Sequence, residues 1–181
     1  MLKMNSNWHV SFNSAMNIFV LSTNPREAAE FHCDKHVVKM ILETAQLLYT
    51  AHWLTDPDAL DDGAYRKTHP NHPCALWARE SKANYQWLCH LGFWLCEEYT
   101  HRYGKVHKTA KHLEWLGDNV PELPNTGLTP FRLAMPEEFK RANPVDAYRA
   151  YYLGAKVRML AYTKRPKPAF VSSNDLHDRR G

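Results

Sequence analysis

Residues 23–54, TNPREAAEFHCDKHVVKMILETAQLLYTAHWL, carry the strongest structural signal in the chain. Asn24 and Pro25 suit the N-cap and first turn of a helix, and an aspartate-rich loop follows residue 54. The stretch therefore predicts one long helix. Along one face of it, polar residues recur at spacings of four, three, four and three, namely His32, His36, Lys39, Glu43 and Gln46. The rest of the helix surface is largely apolar, so we expect this stripe to line a cleft or to pair internally.

Further helices are predicted over residues 74–103, 107–117 and 144–162, and Gly104 and Asn143 are natural capping residues for them. Residues 119–136 contain four prolines and a glycine, which predicts a loop that crosses the surface. The fold class is mainly α: a compact single-domain bundle of three to five helices with long loops and little or no sheet. We expect a flexible N-terminal extension over residues 1–15, the helical domain over 16–168 and a C-terminal tail over 169–181.

The distribution of charge and the cysteines indicate which partners and which cellular compartment to expect. The net charge is +4, yet residues 141–181 hold nine Lys and Arg against three Asp, a net of +6. This excess suits a polyanionic partner such as DNA, or is simply a solvated basic surface. The four cysteines form no CxxC pair, which favours reduced thiols in the cytoplasm. No signal peptide or 18-residue apolar run is visible, so we expect no membrane partner, and we expect a monomer.

The stripe has two chemical interpretations. His32 and His36, at i and i+4, have the spacing of zinc ligands, and Glu43 follows on the same face. No third strong ligand is positioned by spacing, because Asp34 projects to nearly the opposite side. We therefore predict no metal and no cofactor, and keep His32, His36 and Glu43 as the metal alternative. Lys39 and Glu43, also at i and i+4, form either a structural ion pair or an amine and a carboxylate ready for acid-base chemistry.

The spacing of Asp34, His36 and Glu43 supports the second interpretation. These residues follow the short apolar run of residues 16–21, and residues 151–156 near the C-terminus read YYLGAK. This arrangement resembles the phage pyrimidine-dimer DNA glycosylases of the endonuclease V type. In that family, an Asp, a His two residues later and a catalytic Glu nine residues after the Asp lie on a long helix, and an aromatic and basic segment follows near the C-terminus. The resemblance covers residues 16–54 and 144–162 and implies a compact, almost wholly helical fold.

The resemblance also implies a mechanism. In that family the N-terminal α-amino group attacks the sugar C1′ of the damaged nucleotide, and a Schiff base then permits strand cleavage by β-elimination. Carried over, Glu43 is the catalytic carboxylate, His36 supports it, Asp34 matches by spacing only, and the amine belongs to residue 16 or 17, with Asn17 as the candidate. Residues 1–15 would make that nitrogen an amide. Lys39 could replace it if burial lowered its pKa, since an ordinary lysine, with a pKa of about 10.4, is mostly protonated near pH 7.

The DNA-binding candidates are basic, aromatic and amide residues of the helix predicted over residues 74–103, of the last helix and of the segment after it: Arg79, Asn84, Arg149, Tyr152, Lys156, Arg158, Lys164 and Arg165. Asn84 could read a base edge, and His69 and His72 could contact phosphates. The predicted function is a DNA glycosylase with abasic-site lyase activity on damaged or modified pyrimidines, working in the cytoplasm, that of the host cell if phage-encoded. The alternatives are a DNA base-modifying transferase that uses the same cleft and a non-catalytic DNA-binding accessory protein.

Overall fold

The computed structural model describes residues 16–178 and, within them, seven α-helices and no strand. The predicted N-terminal extension, residues 1–15, lies outside the described residues. The helices are α1 (Pro25–Phe31), α2 (Asp34–Thr55), α3 (Pro73–Glu80), α4 (Lys82–Tyr103), α5 (Ala110–Asp118), α6 (Pro144–Ala155) and α7 (Ala169–Asp178). The mainly α class is confirmed, although the helices outnumber the three to five that were predicted.

The long helix predicted over residues 23–54 is wrong in one respect, because the chain breaks between α1 and α2. His32 and Cys33 both have extended backbone, with ψ of 133° and 161°. The buried guanidinium of Arg102, on α4, donates to the carbonyls of Glu30 and His32 at 3.0 and 2.8 Å. A continuous helix would have used those carbonyls for its own hydrogen bonds, so a side chain 70 residues away in sequence holds the break.

The helix predicted over residues 74–103 is also two helices. Ser81 has an extended backbone between α3 and α4, and its hydroxyl accepts a hydrogen bond from the backbone N–H of Asn84, so it is the N-cap of α4. The helix predicted to reach residue 162 ends at Ala155 and is followed by a short 3₁₀ turn. The segment assigned to a C-terminal tail begins with α7, where Val171 is buried.

Helix α2 is the central element and packs against α3, α4 and α5, while α1 packs against α4. The apolar segment before α1 forms no helix or strand and is buried, with Ile18, Val20 and Leu21 in the core. The proline-rich segment 119–136 crosses the surface without a helix, as predicted. No helix in the described residues is long and apolar enough to cross a membrane. As a result, the face of α2 that carries His36 and Glu43 contacts residues 16–19 of this apolar segment, and we call this contact region the junction.

Candidate active site

The carboxylate of Glu43 lies at the centre of this junction. Its Oε2 accepts a hydrogen bond from the backbone N–H of Asn17 at 3.3 Å, and its Oε1 lies 3.3 Å from Nζ of Lys39. The residue is only 6% exposed. Burial raises the pKa of Glu43, while Lys39 and the Asn17 N–H oppose this effect. A carboxyl with a raised pKa can exchange protons closer to neutral pH than an ordinary glutamate.

Asn17 is fixed from three sides, so the position of its backbone nitrogen is well defined. Its side-chain Nδ2 donates to the carbonyl of Ala134 at 2.9 Å. Its Oδ1 accepts hydrogen bonds from the backbone N–H of Ile18 at 2.8 Å and from the thiol of Cys74 at 3.7 Å. These contacts join α3 and the proline-rich segment to the active-site junction. Sequence reasoning missed Cys74 and Ala134, because no periodic pattern links residues that lie 57 and 117 positions from Asn17.

Lys39 lies at the mouth of the junction instead of in its interior. Its side chain is 47% exposed, although its ammonium group reaches the buried carboxylate of Glu43. The burial that would turn Lys39 into an unusual amine is therefore absent. The predicted i,i+4 pair is present, and it leaves one carboxylate oxygen to Lys39 and the other to the Asn17 nitrogen.

His36 is a buried, neutral member of the stripe. Its Nδ1 and the hydroxyl of Tyr152 are joined by a hydrogen bond of 2.6 Å, and the ring of Phe19 stacks on the imidazole at 4.4 Å. Burial, followed by the neighbouring imidazole of His32 and the charges of two lysines, lowers the pKa of His36 to about 2. The imidazole is thus uncharged at neutral pH and contributes hydrogen bonding. Phe19 was not singled out in the sequence, where it looks like any apolar residue of a core segment.

One comparison with known proteins decides the family. A family model described as pyrimidine dimer DNA glycosylase matches residues 16–112, more than half of the chain. The chain belongs to the pyrimidine dimer DNA glycosylase family. The match contains Asn17, His36, Lys39 and Glu43. No curated protein and no solved structure matched the chain.

In this glycosylase-family protein, His32 does not join a metal site with His36 and Glu43. The break before α2 leaves His32 fully buried, where its Nδ1 donates to the Ala28 carbonyl at 2.6 Å. Burial lowers the pKa of His32 to about 4. The Nδ1 of His36 already bonds Tyr152. Among the described residues, no group of three histidine, cysteine or acidic side chains is arranged to hold a metal ion, so the placement does not support the metal alternative.

Asp34 faces away from Glu43, as its position on a regular helix predicts. Its carboxylate accepts hydrogen bonds from the backbone N–H and hydroxyl of Thr163 at 2.8 and 2.7 Å, and from Arg102 at 3.1 Å. Arg102 also pairs with Glu98 at 2.9 Å, and Arg165 pairs with the same carboxylate at 2.6 Å. Asp34 and Arg165 therefore belong to a network of ion pairs around Arg102 at the start of α2, in which the guanidinium of Arg165 pairs with a buried carboxylate.

Several other predicted DNA-binding residues are used inside this glycosylase-family fold. Asn84 is fully buried, and its amide bonds the Trp77 carbonyl and both the hydroxyl and N–H of Thr129, so it cannot reach a base edge. Arg79 donates to two backbone carbonyls. Arg149 donates to the Leu21 carbonyl and lies over two phenylalanine rings. Tyr152 is buried against His36.

The basic side chains near the Glu43 cleft include Lys39, Lys156 and His69. The ammonium of Lys156 lies 5.1 Å from the ring centre of Tyr151, and burial followed by the charge of Lys39 lowers its pKa, whereas Glu43 acts in the opposite direction. His69 is close enough to lower the pKa of Glu43. Arg158 and Lys164 are exposed on the segment after α6.

Proposed function

We propose that the protein is a DNA glycosylase with abasic-site lyase activity that acts on damaged or modified pyrimidines in DNA. The observation that carries the proposal is the buried carboxylate of Glu43, whose two oxygens face the Asn17 nitrogen and the Lys39 amine at 3.3 Å each. The family membership supplies the glycosylase chemistry. We further infer that the protein works as a monomer in the cytoplasm, that of the host cell if phage-encoded.

Glu43 has two tasks in the proposed reaction. As the amine lone pair bonds to C1′ and the N-glycosidic bond breaks, the departing base takes the bonding electrons, and the carboxylate stabilises the positive charge that develops at C1′. Loss of the amine proton and opening of the sugar ring then give the Schiff base. Removal of a C2′ proton expels the 3′ phosphate and cleaves the strand. A buried carboxyl with a raised pKa is suited to relay these protons.

We assign the nucleophile to the nitrogen of residue 17, in a form of the protein whose chain starts at Asn17. In the longer chain this nitrogen is an amide that donates to Glu43. If the chain began here, an α-amino group with a pKa of about 8 would occupy the same position, without any rearrangement. Lys39 is the alternative amine, and its exposure is the reason for ranking it second.

Borohydride trapping on three forms of the chain tests this assignment. The full chain, a chain that starts at Met16 and one that starts at Asn17 are incubated with UV-irradiated and with abasic duplex DNA. We expect the Asn17 form to give a covalent adduct that peptide mapping places on residue 17, and we expect Lys39→Gln in that form to retain it. An adduct on Lys39 would overturn the amine assignment. No adduct in any form, together with an inert Glu43→Gln change, would overturn the lyase proposal.

DNA is proposed to approach along the rim formed by Lys39, His69 and Lys156, with Arg158 and Lys164 farther along the same segment as Lys156. These side chains surround a carboxylate that would otherwise repel a phosphate backbone. Phosphate contacts of this kind fix the register of a protein on DNA without reading sequence. In this proposal the rim provides the affinity for DNA, and the Glu43 cleft selects the lesion.

A further inference from the structure

A second concavity, which we call the α5 recess, lies between the C-terminal half of α2, helix α5 and the loop after α2. Its volume is about 240 Å³, and its lining includes Tyr49, Leu60, Asp61, Lys111, His112 and Trp115. None of these residues contributes to the Glu43 cleft. Tyr49 follows Glu43 by six residues on α2, which is about 240° around the helix, so the two sites lie on different sides of it.

The wall of the recess is aromatic. The rings of Tyr49 and Trp115 are within 15° of parallel, with centroids 6.1 Å apart, and the imidazole of His112 packs 4.3 Å from the ring of Tyr65. The hydroxyl of Tyr49 and Nδ1 of His112 are joined by a hydrogen bond of 2.8 Å. Trp115, Tyr65 and His112 are all partly open to solvent. Flat aromatic faces at an open recess can accept a planar ring by stacking.

The charges of the recess lie at its rim. Burial raises the pKa of Tyr49 to about 12 and lowers that of His112, so both are uncharged at neutral pH. Lys111, on α5, and Asp61, in the loop after α2, are exposed, and one oxygen of Asp61 accepts a hydrogen bond from the backbone N–H of Gly63. Lys111 and His112 also border a shallower neighbouring surface that includes Lys108. The aromatic wall is thus combined with the exposed side chains of Lys111 and Asp61 in the same recess.

We propose that the α5 recess binds one nucleobase that carries a phosphate. The base packs on the partly open ring of Trp115, which Tyr49 supports from inside the fold, the second oxygen of Asp61 accepts a base N–H, and Lys111 pairs with the phosphate. The volume is below the roughly 300 to 1,000 Å³ that is typical of pockets for drug-sized ligands, so the recess encloses the base of one nucleotide and leaves its sugar and phosphate outside. The nucleotide comes either from solution or from an unpaired position in DNA.

Calorimetric titration with each deoxynucleoside monophosphate, with the nucleosides and with inorganic phosphate tests the proposal. The monophosphates should bind, and nucleoside or phosphate alone should bind more weakly. Lys111→Gln should weaken monophosphate binding by about threefold to fivefold, as expected for an exposed ion pair. Trp115→Leu should weaken it by roughly tenfold, through lost stacking. Lys105→Gln, an exposed lysine outside the recess, is the matched control and should change nothing.

A second titration, with duplexes that contain or lack one unpaired nucleotide, separates the two sources. Stronger binding of the bulged duplex that Lys111→Gln weakens would support a nucleotide of DNA, and binding of free monophosphates alone would support a soluble ligand. If Lys111→Gln changes neither titration, the proposal is wrong, even if Trp115→Leu fails to fold. Glu43→Gln should bind nucleotides as the unaltered protein does, so failure of the glycosylase proposal would not affect this result.

Discussion

At the scale of single residues, the buried position of Glu43 favours the protonated form of its carboxyl group. Burial raises the pKa of Glu43 in the folded protein above its unfolded value of about 4.5. As the pH rises past 4.5, the unfolded chain therefore loses this proton before the folded protein does, and the free energy of unfolding falls. Glu43→Gln removes that effect. We expect the variant to be at least as resistant to urea at pH 7 as the unaltered protein, while glycosylase activity falls by roughly 10² to 10⁴. A variant that unfolds more easily and stays active would mean that Glu43 is structural.

His32 and His36 make the opposite prediction. Both are buried with a pKa lowered by burial, to about 4 and about 2, so the unfolded chain takes up protons first as the pH falls below about 6.5. The contribution of each histidine to the free energy of unfolding is fully present above pH 6.5. It should fall by roughly 1.4 kcal/mol per pH unit down to about pH 4. Urea denaturation at pH 7, 6 and 5 measures this slope. His36→Asn should flatten it, whereas His90→Gln, at an exposed site, should leave it unchanged.

Local contacts of single residues could be predicted from the sequence, whereas contacts between residues far apart in it could not. The Lys39–Glu43 pair follows from helix spacing alone, and it is present. The contact between Glu43 and the Asn17 nitrogen spans 26 residues, and only the resemblance to a family pointed to it. Asn84 was expected to face DNA because its amide could read a base edge. The proline-rich segment covers it instead, since Thr129 satisfies its amide.

At the scale of helices, both predicted long helices were broken by partners that lie far away in sequence or by a local cap. The first break depends on Arg102, which periodicity cannot identify as its partner. The second break has a local signal, because a serine three residues before Asn84 can act as an N-cap. The general result is that apolar periodicity located the helical segments, while side chains that compete for backbone carbonyls determined their ends.

The packing of the helices leaves no room for a side chain at Gly92 but leaves open space at Gly117. A Cβ on Gly92 of α4 would lie 2.8 Å from Leu113 of α5 and 3.0 Å from Thr44 of α2. We expect Gly92→Ala to lower the free energy of unfolding by about 1 to 3 kcal/mol through overpacking. Gly117, in α5, has open space around it, so Gly117→Ala should raise stability by about 0.5 to 1 kcal/mol through helix propensity. Urea denaturation of the two alanine variants compares them directly, and equal effects would contradict this packing.

At the scale of the whole molecule, the basic C-terminal part was predicted to be the DNA-binding surface, but its cations divide into two groups. Arg149 and Arg165 donate to a carbonyl and a carboxylate within the fold, and Lys156, which also contacts the ring of Tyr151, lies near the Glu43 cleft. Net charge counts both groups equally, so composition alone could not separate them. The distinction depends on which carboxylates and carbonyls the fold brings within reach.

This division gives a prediction about DNA affinity and stability. Lys156→Gln should weaken duplex binding across all sequences and reduce the slope of log affinity against log salt by about 1, as expected for one lost phosphate contact. Arg165→Gln should leave that slope unchanged and lower the free energy of unfolding, because it removes a partner of buried Glu98. Binding isotherms from 50 to 200 mM salt, with urea denaturation of the same proteins, measure both quantities. If Arg165→Gln reduced the salt slope and Lys156→Gln did not, DNA would contact the face that carries the Arg102 network, on the opposite side of the α2 start from the proposed rim.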